Sequence, residues 1–120
     1  MPADPIAPLG APTFESYQRD ASRTLNAALT ATEQTLDAAS GMAEEAGEVL
    51  ALVRKHFFQH RPLDRERLAI ELGDALWCLT AVATLSGLSL GEIASRNLSK
   101  LADRYPDGLG HKPAGERGTP

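Results

Sequence analysis

Between residues 13 and 105 the chain carries one proline, Pro62, whereas the others stand at positions 2, 5, 8, 12, 106, 113 and 120. Proline lacks a backbone N–H and interrupts helix interiors and central strands, so its placement sets where regular structure must stop. The interior is rich in Ala and Leu, sparing in Gly, and repeats its apolar residues every three or four positions rather than every second one. Such a stretch reads as all helix: one domain over residues 13–105, with flexible tails at 1–12 and 106–120.

Caps and apolar stripes divide that domain into four helices. Thr13 suits the N-cap of a first helix that ends near residue 30 and turns Phe14, Tyr17, Ala21, Leu25 and Ala28 inward. A second helix, near 36–59, points Leu36, Met42, Ala46, Val49, Val53 and Phe57 at the core and closes at the segment around Pro62. Asp64 caps a third that runs to about Ser86, with Leu68, Leu72, Ala75, Leu79 and Val82 as its stripe and Gly87 at its C′ position. Ser89 and Glu92 form an S-x-x-E capping box for a fourth, with Leu90, Ala94, Leu98, Leu101 and Tyr105 inward until Pro106. Residues 75–85, Trp77 included, are apolar almost all round, more than four short helices of one chain can cover. The expected fold is therefore a short all-α four-helix bundle whose third helix is buried in a subunit interface, in a homodimer or homotetramer.

The 12 Lys+Arg against 16 Asp+Glu leave a net charge of −4, a field that opposes a nucleic-acid polymer. No stretch approaches the roughly 20 apolar residues that span a bilayer, and no basic-then-apolar leader opens the chain. The lone cysteine, Cys78, lies within an apolar run and has no partner for an intramolecular disulfide. The reading is a soluble cytoplasmic protein without membrane or nucleic-acid partners.

Acids supply the chemistry. Glu44, Glu45 and Glu48 fall in the second helix and Glu71 and Asp74 in the third, with 22 residues between Glu48 and Glu71. Residues three apart share a helical face at roughly 5–6 Å between Cβ atoms, so Glu45 with Glu48 and Glu71 with Asp74 can each clamp a cation from one side. Both pairs border apolar stripes, where crowded and partly desolvated carboxylates call for a compensating cation. An all-oxygen ligand set favours Mg²⁺ or Mn²⁺ over zinc. The plainer reading is of solvated helix acids with i,i+4 partners, such as Glu71 with Arg67.

The segments G-M-A-E-E-A-G-E-V-L-A-L-V (41–53), E-L-G-D-A-L-W-C-L (71–79) and N-L-S-K-L-A-D-R-Y-P (97–106) together resemble the MazG-like nucleotide pyrophosphohydrolase family. The resemblance implies Mg²⁺-dependent hydrolysis of a nucleoside triphosphate to the monophosphate and pyrophosphate, as in nucleotide-pool housecleaning. It implies Glu45, Glu48, Glu71 and Asp74 as metal ligands. Glu44 matches the first acid of the motif and is assigned to act behind the ligands or on water; Glu48 and Glu44 are the candidates for general base.

On the fourth helix Asn97, Lys100 and Arg104 form a stripe at i, i+3 and i+7 beside the core face. The resemblance implies that this helix contacts the triphosphate, through Lys100, Arg104 and Tyr105. Tyr17, Gln18, Trp77 and Cys78 are candidates for the walls of a nucleobase pocket, Trp77 doubling as a core residue. Relatives often place an aromatic residue before the acidic helix, and residues 30–40 contain none. His56 and His60, four apart, offer zinc no third ligand nearby. Rival readings are a phosphoribosyl-ATP pyrophosphohydrolase, an all-α dUTPase relative, and a non-catalytic helical interaction module.

Overall fold

The computed structural model of the chain describes residues 10–108, so most of both expected tails, 1–9 and 109–120, lies outside the described residues. The helices are α1 (Phe14–Ser22), α2 (Ala31–Phe58), α3 (Arg65–Leu85) and α4 (Leu90–Arg104), and no strand occurs among the described residues. α2 and α3 pack against each other most extensively as a hairpin; α1 lies against α3, and α4 rests on α1.

Local chemistry sets most of the ends. Thr13 caps α1 through a reciprocal box with Ser16. Asp64 accepts from the Arg67 N–H at 3.0 Å to start α3. Gly87, at φ 73°, ends α3 in the left-handed region, with the Leu88 N–H donating to the Ala83 carbonyl at 2.9 Å and the Gly87 N–H to Thr84 at 3.2 Å. This is the hydrogen-bond pattern of a Schellman cap. Ser89 accepts from the Glu92 N–H at 3.1 Å, but the Glu92 carboxylate turns to Arg96 at 2.9 Å instead of closing a box.

Two boundaries differ from expectation. α1 stops at Ser22 rather than near residue 30, and α2 starts at Ala31 rather than near 36. The chain between them turns because short polar side chains take backbone partners: Thr24 Oγ1 donates to the Ala21 carbonyl at 2.7 Å, and the Ala28 N–H donates to Asn26 Oδ1 at 3.0 Å. Thr30 and Glu33 then form a full capping box, with bonds of 2.9 and 3.2 Å. That T-x-x-E signature is as plain in the sequence as the one at Ser89.

The helical faces differ more. On α2 the face toward α3 runs through Ala38, Gly41, Glu45, Val49, Leu52 and His56, whereas Leu36, Met42, Ala46 and Phe57 are exposed. On α3 the buried residues are Glu71, Cys78, Thr80, Ala81 and Ala83, while Leu72 and Leu79 face out. Phe14, Ala28, Leu98 and Leu101, also expected inside, are exposed. Around Gly41 the hairpin is thus closed by small residues, which let its backbones approach, while Leu36, Met42, Phe57, Leu72 and Leu79 point away from it. By length and composition α3 could cross a bilayer, contrary to expectation. It carries Glu71 and Asp74 mid-helix, and such charges are costly in hydrocarbon.

The two helices pass close together at Gly41, where an added Cβ would lie 2.7 Å from Cys78 Sγ. Gly41→Ala is therefore expected to lower stability by about 1 kcal/mol even though alanine is the better helix former. Adding Cys78→Ala should restore it. Urea unfolding of the two variants checks this, and a more stable Gly41→Ala single variant would contradict the close contact.

Candidate metal centre

The α2–α3 seam brings three acids together one turn above Gly41. Carboxylate oxygens of Glu45, Glu71 and Asp74 lie within 4.8 Å of one another. Glu71 is buried, Glu45 half-buried and Asp74 exposed, so the group opens to solvent on one side. Glu45 Oε2 is buried with no hydrogen-bond partner. Since both carboxylates can only accept when ionised, Glu45 and Glu71 can share a hydrogen bond only if one keeps its proton. That bond with Glu71, then burial, then the charges of Glu71, Asp74 and Glu44, push Glu45 up to about 7. Glu71 is held below the usual range by the same bond and by Arg67, whose Nε donates to its Oε1 at 3.0 Å. The ion pair expected of ordinary helix acids does form, but one of its members is buried.

Glu48 and Glu44 are exposed and stand outside the three-residue group. Glu48 is still near enough for its charge to act on Arg67. The donor set of the trio, all oxygen and all carboxylate, suits a hard divalent cation, and the orphaned Glu45 oxygen is the atom such an ion would satisfy.

α1 closes one flank. Burial, and then the negative charge of Asp74, raise the Tyr17 hydroxyl above its usual range. Burial, and then Glu45 and Asp74, push the Cys78 thiol up as well and keep it in its neutral form. Trp77 is tied to the turn that follows α1, its Nε1 donating to Thr24 Oγ1 at 2.6 Å. Gln18 has no free amide to offer a ligand: Nε2 donates to Thr84 Oγ1 at 3.0 Å and to the Leu88 carbonyl at 2.9 Å, and Oε1 accepts from the Leu90 N–H at 2.9 Å. It clips α1 to the α3–α4 turn. Asn97, Lys100 and Arg104 are exposed and Tyr105 half-buried, on a helix whose main contact is α1 and not α2. His56 Nδ1 meets the Arg61 carbonyl at 2.7 Å, and among the described residues no histidine joins the acid cluster. Arg67, at the cluster itself, was legible in the sequence only as an i,i+4 partner of Glu71.

No curated protein and no solved structure matches the chain. Residues 32–109 match the MazG nucleotide pyrophosphohydrolase domain. That span covers α2 from its second residue together with α3 and α4, and with them every acid of the cluster, so the chain belongs to the MazG nucleotide pyrophosphohydrolase family.

Proposed function

We propose that the protein is a Mg²⁺-dependent nucleoside triphosphate pyrophosphohydrolase, hydrolysing a (d)NTP to the (d)NMP and pyrophosphate in nucleotide-pool housecleaning. The observation that carries this is the convergence of Glu45, Glu71 and Asp74 within 4.8 Å, with a buried Glu45 oxygen lacking a donor. Glu45, Glu48, Glu71 and Asp74 would hold Mg²⁺ or Mn²⁺, Glu48 by a change of rotamer from its exposed position. A bound divalent ion supplies charge neutralisation for the triphosphate and a lowered pKa for water.

The rest falls to the chain's own groups. Glu44 and Glu48, exposed beside the cluster, can accept the proton of the attacking water. Tyr17 borders the site from α1. Asn97, Lys100, Arg104 and Tyr105 serve the phosphates, and Gln18 acts by fixing α1. Because α4 leans on α1 within one protomer, self-association as a dimer or tetramer would carry its basic stripe toward acids of another copy. A reducing cytoplasm suits the single buried thiol.

Hydrolysis in ¹⁸O-labelled water with Mg²⁺, across a panel of nucleotides that includes dUTP and phosphoribosyl-ATP, tests this reading. The expected products are monophosphate and pyrophosphate, as α–β cleavage requires. Orthophosphate and a nucleoside diphosphate would sink it, and the panel ranks the substrates.

A further inference from the structure

Arg67 occupies an unusual station. Its Nε–Oε1 bond to Glu71 is 3.0 Å long, yet its own side chain is 57% exposed while that of Glu71 is 10% exposed. A surface i,i+4 pair joins two solvated groups and contributes little. Here the acceptor is one of three clustered acids, and the charges of Glu48 and Asp64 also act on the guanidinium. Arg67 thus brings positive charge to a centre whose Glu45 oxygen still lacks a donor. α4, which carries the basic stripe, rests on α1, whereas Arg67 already stands at the cluster through its bond to Glu71.

Building on the metal-centre reading above, we infer that Arg67 is a positioning and phosphate-binding residue with two partners. In the metal-free protein it is the counter-ion of Glu71. When Glu71 is committed to a divalent cation, Arg67 releases it and its guanidinium takes up an oxygen of the substrate's pyrophosphate portion. The chemistry suits the exchange. A guanidinium stays charged, offers several N–H donors in a planar fork, and pairs with phosphate as readily as with carboxylate. Its exposed stem leaves room to turn without unpacking α3. The exchange also gives the site an order: cation first, polyphosphate second.

The two partners make predictions of opposite sign. Removing a competing cation should strengthen metal binding, whereas removing a phosphate ligand should weaken anion binding. Isothermal titration of the full chain with Mn²⁺ alone is expected to show Arg67→Ala binding about fivefold more tightly than wild type. Titration of the Mn²⁺-loaded proteins with inorganic pyrophosphate, a probe independent of nucleobase, should show Arg67→Ala about tenfold weaker. Arg67→Lys keeps the charge without the fork. It should return Mn²⁺ affinity toward wild type and recover pyrophosphate affinity only in part. Circular dichroism confirms that each variant is folded. Unchanged or weaker Mn²⁺ binding by Arg67→Ala, or unchanged pyrophosphate binding, overturns the inference while leaving the metal centre standing. A wild-type protein that takes up no Mn²⁺ overturns both.

Discussion

Asp74→Asn is expected to lose hydrolysis by roughly three orders of magnitude, because the side chain keeps its shape but offers a divalent ion a neutral oxygen where a charged one is needed. Asp74 is the exposed member of the trio, so the substitution leaves the α2–α3 packing intact. Wild type should gain thermal stability on addition of Mn²⁺, since a ligand that binds only the folded state stabilises it, and Asp74→Asn should lose most of that gain. Glu48→Gln, assayed in parallel, is expected to fall comparably, which would show the fourth carboxylate turning in when metal is present. Full turnover by Asp74→Asn, or by wild type in excess EDTA, would remove the acidic cluster from the mechanism. The melting curves keep the conclusion separate from misfolding.

Leu79→Glu is expected to split the protein into protomers. α3 turns Leu72, Leu76 and Leu79 outward at 51, 40 and 37% exposure, an i, i+4, i+7 seam on the side away from Ala38 and Gly41. α2 leaves Leu36, Leu50 and Phe57 at 68, 58 and 66%, spaced by whole heptads. Apolar stripes of this length on two packed helices match the seams by which helices associate. A second copy of the hairpin would provide the complementary stripes. A charge forced into the middle of such an interface costs several kcal/mol and raises the dissociation constant by roughly two orders of magnitude or more. Sedimentation velocity at micromolar concentration distinguishes the outcomes. Wild type sedimenting as a monomer would leave the outward face of α3 without an occupant, and the subunit-interface reading would fail.

Much of the architecture was legible in short stretches of sequence because it depends on short stretches of chain. Thr13, Asp64, Gly87, Ser89 and Pro106 each act within a turn of their own position, and the helices start or stop there. The Thr30–Glu33 box was equally local. The apolar stripe beginning at Leu36 competes with it and points to a start of α2 too far along the chain. The spacing of Glu45, Glu71 and Asp74 was readable for the same reason, since a helix fixes which residues share a face.

The faces themselves were not readable. α3 is apolar almost all round, so hydrophobicity alone does not say which side meets α2 and which awaits another surface. Tertiary packing decided it through size. Gly41, Ala38 and Cys78 let two backbones approach where leucines would hold them apart, and Leu72, Leu76 and Leu79 were left outside. That choice carried the site with it. Rotating α3 to bring Cys78 against Gly41 also buried Glu71 and set Glu45 and Asp74 beside it, while Glu48 stayed in solvent. The sequence by itself determined four helices, their caps and an acidic pair on each of two of them. Only the tertiary structure chose which carboxylates converge and gave Arg67 its place beside them, because convergence depends on the rotation of one helix against another, and no run of neighbouring residues encodes that.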